Sequence, residues 1–163
     1  MIKRLLMQIL LVLALAIGAG SFVMAQTILT VTVKSQTQGE VVTEFSREDL
    51  LALGDEILTT RNEYVDRVHQ FTGPLMRNLV RQVGANSATV ARLTAVNDYT
   101  VEIDPMEFQK YDVILAMSQD GVALSLRDKG PIWLIYPMSQ FEELQDPVFN
   151  NRLIWQLDRL EFE

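Results

Sequence analysis

The chain has 163 residues, of which 14 are Lys or Arg, 21 are Asp or Glu, one is His and none is Cys, and its formal net charge is −7. This length fits one domain, and the acidic balance argues against a protein that binds nucleic acid phosphates with a basic face. The absence of Cys excludes disulfides, cysteine nucleophiles and thiolate zinc sites, and the single His69 excludes a His₃ metal site.

The first 25 residues have the three-part pattern of a secretory signal peptide. Lys3 and Arg4 give a positive start, an apolar run follows, and small residues close the segment at Ala25. The alternative is an uncleaved membrane anchor, which the small residues near the end of the run disfavour. We therefore predict a signal peptide over residues 1–25 and a single exported domain over residues 26–163. This domain is expected to lie in a bacterial periplasm and to have no membrane contact after cleavage.

Short strands dominate the predicted elements, because apolar and β-branched residues alternate with polar ones in most segments. The predicted extended segments are Leu29–Val33, Val41–Phe45, Leu58–Gln70, Ala88–Ala95, Tyr99–Ile103, Val113–Met117, Ile132–Tyr136 and Leu153–Phe162. Turns are predicted at Gln38–Glu40 and at Asp120-Gly121, which is a hairpin signal. Phe71–Pro74 is expected to break the chain between a strand and a helix.

Three short helices are predicted between these strands. Ser46 with Asp49 three residues later resembles a capping box ahead of a helix over Arg47–Leu53. The second helix follows Pro74, where apolar residues repeat at helical spacing, and the third follows Asp104. Short strands with a few short helices, and no repeating βαβ pattern, indicate an α+β fold, namely a compact mixed-β domain.

Few side chains suggest chemistry on their own. His69 could act as a general base or metal ligand, but no second ligand-type residue stands at a suitable spacing. We therefore interpret it as a partly exposed strand residue ahead of a turn. Asp98, Glu102 and Asp104 alternate along a predicted strand and could bind a cation or form an acid–base pair. We interpret them as the solvated face of an amphipathic strand.

The segment from Arg127 to Lys129 is the one compact basic cluster after the leader. Cations beside a glycine such as Gly130 can present side chains and backbone N–H groups to a phosphate or a carboxylate. The alternative is a polar hairpin end. A positive φ at Gly130 would make a valine there disruptive. Three aromatic residues after this cluster are interpreted as core residues, namely Trp133, Tyr136 and Trp155.

Four segments together carry a family resemblance, and they are Phe71–Leu75, Leu93–Tyr99, Tyr111–Ala116 and Leu126–Pro137. In order and spacing they resemble the molybdopterin-binding domain of the sulfite oxidase-like oxidoreductases, above all its small, exported, stand-alone bacterial members. The resemblance runs from about Phe71 to Tyr136 and is most specific over Arg127–Pro137. It implies a compact α+β domain built mainly of strands, in agreement with the strands and helices predicted above.

The resemblance also raises a chemical disagreement. Catalytic members of that family bind molybdenum through one Cys thiolate, and the matching position here is Ala95, whose methyl group cannot bind a metal. A fold can be inherited without its reaction. We therefore expect no catalytic residue, no metal ligand and no bound cofactor, although the family leaves molybdopterin as an alternative. The remaining pocket is expected to be rimmed by Asn97, Tyr99, Arg127 and Lys129.

Three functional hypotheses follow. The first is an exported, non-catalytic binding or interaction module that takes a small anionic or polar ligand, or that serves a membrane-bound sensor or redox partner. The second is a molybdopterin-dependent oxidoreductase that binds its cofactor without a Cys ligand and depends on Arg127 and Lys129. The third is a structural subunit of a larger exported complex. A cavity that extends from Ala95 to Arg127 would favour a retained ligand, and a packed interior would favour an interaction module.

Overall fold

The computed structural model describes residues 25–35 and 39–163, so the predicted signal peptide, apart from Ala25, and part of the predicted turn at Gln38–Glu40 lie outside the described residues. The strands are β1 (Thr27–Ser35), β2 (Gly39–Ser46), β3 (Glu56–Thr60), β4 (His69–Gly73), β5 (Ala91–Ala95), β6 (Thr100–Ile103), β7 (Ile114–Ala116), β8 (Ser118–Gln119), β9 (Val122–Ala123), β10 (Trp133–Ile135) and β11 (Leu157–Phe162). The α-helices are α1 (Arg47–Leu51), α2 (Met76–Gln82) and α3 (Glu107–Lys110). Single-turn or two-turn 3₁₀ helices cover Leu126–Asp128, Glu142–Gln145 and Pro147–Arg152.

The strands form three sheets. The largest has five strands in the order β2-β1-β11-β5-β6, in which β1 and β11 are parallel and the other pairs are antiparallel. A four-stranded sheet has the order β3-β4-β8-β9, and β7 pairs with β10 in a two-stranded sheet. This arrangement of many short strands and few short helices confirms the predicted α+β class.

Alternation along the strands of the large sheet directs one face into the core. Leu29 and Val31 of β1, together with Leu93 of β5, are fully buried, and they pack with residues of α2 and α3 in the larger of two hydrophobic clusters. The smaller cluster surrounds Trp133 and Phe71, whose rings meet edge to face with centroids 5.4 Å apart. Within the described residues, no helix has the length and apolar character needed to cross a bilayer.

The predicted capping box is confirmed. The hydroxyl of Ser46 accepts a hydrogen bond from the Asp49 N–H at 3.2 Å, and the Asp49 carboxylate accepts one from the Ser46 N–H at 2.9 Å. The helix ends at Leu51, two residues earlier than predicted. The Asp120-Gly121 hairpin is also confirmed, with positive φ at both residues, as expected for a two-residue turn between antiparallel strands.

The prediction of one extended segment over Leu58–Gln70 was wrong. The chain forms β3, then a turn region over residues 61–68, and then β4, which pairs with β3 in antiparallel fashion. The predicted break at Phe71–Pro74 begins later than expected, at Pro74 between β4 and α2, because Phe71–Gly73 completes β4. The turn over residues 61–68 contains no Gly or Pro, so local composition did not reveal it.

Gly130 also differs from expectation, because its φ is not positive. Glycine is required at this position because there is no room for a side chain. A Cβ at Gly130 would overlap the backbone carbonyl and the side chain of Leu124. The close approach of this loop to Leu124 therefore explains the glycine better than a left-handed turn does.

Candidate functional site

Ala95 ends β5 and is buried, with 3% of its surface exposed. A tight turn follows, in which the Ala95 N–H donates to the Tyr99 carbonyl at 2.9 Å and the Asp98 N–H donates to the Ala95 carbonyl at 2.9 Å. Asp98 has a φ of 64°, which short polar residues tolerate better than others. The turn therefore presents Asn97 and Tyr99 beside Ala95.

The opposite wall of the site is the Pro147–Arg152 helix and the segment Leu153–Trp155 that follows it. Asp146 caps this helix by accepting a hydrogen bond from the Val148 N–H at 2.9 Å. The indole Nε1 of buried Trp133 donates to the Leu153 carbonyl at 3.0 Å. The bond from Trp133 attaches the wall to the core, so the core positions the wall.

The two walls enclose a cleft of about 320 Å³, which we call the Ala95 cleft. It is lined by Tyr64, Ala95, Asn97, Tyr99, Asn150, Asn151, Leu153, Ile154 and Trp155. Tyrosine hydroxyls connect the walls, because Tyr99 Oη donates to the Asn151 carbonyl at 3.2 Å and Tyr64 Oη to the Asn150 carbonyl at 3.4 Å. The Tyr64 ring meets the Trp155 ring edge to face, with centroids 4.9 Å apart.

The lining of the Ala95 cleft is uncharged. None of its nine residues is Asp, Glu, Lys, Arg or His. Burial raises the pKa of Tyr64, helped by the nearby negative charge of Glu63, so this phenol stays neutral at physiological pH. Three asparagine amides supply donors and acceptors, and three aromatic rings supply flat apolar surface. This combination suits a small, flat, polar ligand without a net charge.

The structure brings together only two of the four predicted rim residues. Asn97 and Tyr99 line the cleft, and Tyr99 is 47% exposed. Arg127 lies exposed in its 3₁₀ helix, and Lys129 places its Nζ 5.1 Å from the centroid of the Trp133 ring. Neither side chain is among the lining residues, so the cleft beside Ala95 does not extend to Arg127.

The predicted core aromatics fall into two groups. Trp133 and Tyr136 are fully buried, as predicted. Trp155 is only half-buried and lines the Ala95 cleft, so its interpretation as a core residue was wrong in part. It ends the cleft wall and pairs with Trp133 through an isolated backbone bridge.

Sequence reasoning missed Tyr64 and the pair Asn150-Asn151. Tyr64 lies in the turn over residues 61–68, which was predicted to be a strand, so its position beside the cleft was not expected. The adjacent asparagines, in a segment that begins with Pro147, were a turn signal that could have indicated a loop or helix end. No local pattern indicates that this segment packs against the turn after β5, because the two are about 50 positions apart.

His69 was predicted to be partly exposed, and this was wrong. It begins β4 and is 8% exposed. Its Nδ1 lies 2.8 Å from Asp120 Oδ2 and its Nε2 lies 3.2 Å from Asp66 Oδ1. Asp120 connects the start of β4 to the tip of the β8–β9 hairpin, whereas Asp66 lies in the turn just before β4. His69 is outside the Ala95 cleft, and its contacts are those of a structural residue.

The three predicted carboxylates do not share a strand face. Asp98 lies in the turn after β5 and pairs with Arg159 at 2.6 Å, whereas Glu102 on β6 pairs with Arg92 at 2.8 Å. Asp104 follows β6 and accepts a hydrogen bond from the Met106 N–H at 2.9 Å. Each carboxylate therefore has its own partner. The described part of the chain contains no group of three or more His, Cys, Asp or Glu residues placed to hold a metal ion.

The residues present do not fit a protein-bound molybdenum cofactor of the kind that the family resemblance implies. Ala95 offers no donor atom to a metal, and the lining of its cleft contains no cation to balance a phosphate. A scan of the chain against models of known protein families gives no match. A search of curated proteins gives no match either.

Proposed function

We propose that this chain is an exported, non-catalytic binding module with a sulfite oxidase-like molybdopterin-domain fold, and that it holds a small polar molecule in the Ala95 cleft. The observation that carries the proposal is a preformed cleft beside Ala95. The sequence resemblance matches Ala95 to the metal-binding Cys of the enzymes of that family. Its aromatic and amide lining supports a binding role, and its lack of a nucleophile, a general base or a metal ligand supports a role without catalysis.

The lining also narrows the ligand class. A fully ionised ligand would enter a partly buried site without an opposite charge to compensate its lost hydration. A flat ligand with amide-like donors and acceptors would stack on Tyr99 or Trp155 and bond to the asparagines. An uncharged polar ligand therefore fits better than the anion expected from Arg127 and Lys129.

The first experiment separates this proposal from a cofactor enzyme. The exported protein is purified from cells that synthesise the molybdenum cofactor and is analysed for metal and for pterin fluorescence. A molybdenum enzyme purified from the same cells is the positive control. We expect molybdenum far below one equivalent. Stoichiometric molybdenum in the purified chain would overturn the proposal in favour of an oxidoreductase that lacks a Cys ligand.

The second experiment tests the cleft itself. Native mass spectrometry of the purified protein is expected to show a bound small molecule, which is lost in Asn97→Asp. This variant keeps the oxygen that accepts the Tyr99 N–H at 3.2 Å and adds a negative charge to a neutral cleft. Asn86→Asp, at an exposed position outside the cleft, is the matched control. A stoichiometric protein partner without any small molecule would instead support a structural subunit.

A further inference from the structure

A second cleft, of about 540 Å³, adjoins the Ala95 cleft at Asn150, which lines both. We call it the Arg61 cleft. It is lined by Arg61, Asn62, Glu63, Met138, Ser139, Leu144, Gln145, Pro147 and Asn150. It differs from its neighbour in chemistry, because its lining contains one cation and one anion as well as apolar side chains.

Neither charge of this cleft is neutralised by an ion pair within the described residues. Among the described residues, the Arg61 guanidinium has no hydrogen-bond or ion-pair partner. The Glu63 carboxylate accepts a hydrogen bond from the Asn150 side chain and has no ion pair in the same part of the chain. Two opposite charges that line one cleft without neutralising each other are both available to a ligand.

An unsatisfied buried donor lies between them in sequence. Asn62 is 6% exposed, and its Oδ1 accepts the Tyr64 N–H at 2.9 Å, which fixes the orientation of the amide. Its Nδ2 has no hydrogen-bond partner within the described structure. A buried polar group without a partner costs free energy and requires an explanation, such as a missing water or ligand. Asn62 is one of the residues that line the Arg61 cleft.

We infer that the Arg61 cleft is a second binding site, for a small zwitterion of the α-amino acid class. Its carboxylate pairs with the Arg61 guanidinium, whose planar fork matches two oxygens, and accepts a bond from Asn62 Nδ2. Its ammonium pairs with Glu63. Buried Met138 and Leu144 provide apolar surface for an aliphatic side chain. Glu63 disfavours ligands that carry negative charge alone.

Isothermal titration of the exported protein with L-leucine tests the ligand class. We expect saturable binding of L-leucine. N-acetyl-L-leucine lacks the ammonium and L-leucinamide lacks the carboxylate, and each is expected to bind at least about tenfold more weakly, because each loses one charge-assisted contact. Equal binding of either derivative would overturn the zwitterion assignment. The absence of saturable binding by any common amino acid would overturn the site.

Variants test which residues bind. Arg61→Met and Glu63→Gln change exposed side chains that form no ion pair in the described structure, so the fold should tolerate both. Each is expected to weaken L-leucine binding about tenfold or more. Arg81→Met, at an exposed position on α2, is the matched control and should bind as the unaltered protein does. Undiminished binding by Arg61→Met would contradict the assignment. Asn97→Asp should leave L-leucine binding unchanged, which separates this site from the Ala95 cleft.

Discussion

Trp133 connects the packing of the core to the position of the Ala95 cleft. Its side chain has no solvent exposure, and its ring meets Phe71 and Trp155 edge to face. Its Nε1 holds the Leu153 carbonyl in the cleft wall. One residue therefore provides buried apolar area, aromatic contacts and a hydrogen bond to a wall that contains no regular strand.

Trp133→Ala is expected to reduce the free energy of unfolding by about 3–5 kcal/mol, because it leaves a large cavity and an unpaired carbonyl. Chemical denaturation measures this loss. Trp133→Phe keeps an aromatic ring and should cost less. A loss below about 1 kcal/mol for the alanine variant, as is typical of surface positions, would contradict the burial of this ring.

Gly130 and Gly84 illustrate two different reasons for a glycine at a loop position. Gly84 has a φ of +73° and open space where a Cβ would lie, whereas Gly130 lacks positive φ and has no space beside Leu124. Gly84→Ala should cost about 1–2 kcal/mol for the left-handed backbone. Gly130→Ala should cost more, because backbone must move. Denaturation of both variants gives the order, and a larger loss for Gly84→Ala would refute this explanation.

At the scale of elements, the tip of the β8–β9 hairpin is attached to the start of β4 by one carboxylate. Asp120 accepts hydrogen bonds from the Gln70 N–H at 3.0 Å and from the Arg67 side chain at 3.0 Å, and it contacts His69. The Gln70 N–H, followed by His69 and Arg67, lowers the pKa of Asp120 from 3.8 to about 2. The charged form of this carboxyl therefore favours the folded state.

The direction of the pH dependence follows from this lowered pKa. Since the folded pKa is below the unfolded one, Asp120 stabilises the fold fully above about pH 4, and this contribution is lost as the pH falls towards 2. Asp120→Asn should be less stable than the unaltered protein at pH 7, and the difference should shrink as the pH approaches 2. Urea denaturation across this range measures it.

Asp55→Asn is the control for this titration, because Asp55 is exposed and has no hydrogen-bond or ion-pair partner in the described residues. Its stability should follow that of the unaltered protein at every pH. A constant difference between Asp120→Asn and the unaltered protein from pH 7 to pH 2 would show that the Asp120 charge does not act as described.

Local patterns predicted the elements that local forces specify. Alternation in Leu29–Val33 predicted β1, and the capping box of Ser46 and Asp49 predicted the start of α1. The turn over residues 61–68 was missed, since it contains no Gly or Pro and follows a β-branched segment. Its position depends on the pairing of β3 with β4 and on Ser139, whose Oγ accepts the Arg61 N–H at 3.0 Å. Such distant contacts leave no periodic signal in the sequence.

At the scale of the whole molecule, the candidate site was only half predictable because its walls come from distant parts of the chain. Asn97 and Tyr99 were found through a segment that resembles a known family, and they follow Ala95 directly. Tyr64 and the Pro147–Arg152 helix reach the cleft only through tertiary packing. The basic cluster at Arg127 and Lys129 was a local signal, but the fold directs it away from the cleft lining.

The two adjoining clefts differ in the charges of their linings. The Ala95 cleft is neutral and rich in aromatic and amide groups, whereas the Arg61 cleft carries one charge of each sign. Asn150 lines both and binds Glu63 through its side chain and Tyr64 through its carbonyl. A ligand that binds to either cleft of the folded state alone would stabilise the whole domain.

The stabilisation of the folded state by a bound ligand gives a prediction for the intact protein. A molecule that occupies the Ala95 cleft raises the Tm, by an amount that corresponds to about 2.7 kcal/mol at a free concentration of 100 times its Kd. Protein that is unfolded, dialysed and refolded should therefore melt at a lower temperature than protein as purified, and the dialysed small-molecule fraction should restore the difference. Asn97→Asp should show no such difference before and after refolding, whereas Asn86→Asp should behave as the unaltered protein. Identical Tm values for purified and refolded protein, at full recovery of the native circular dichroism spectrum, would mean that the cleft carries no resident ligand.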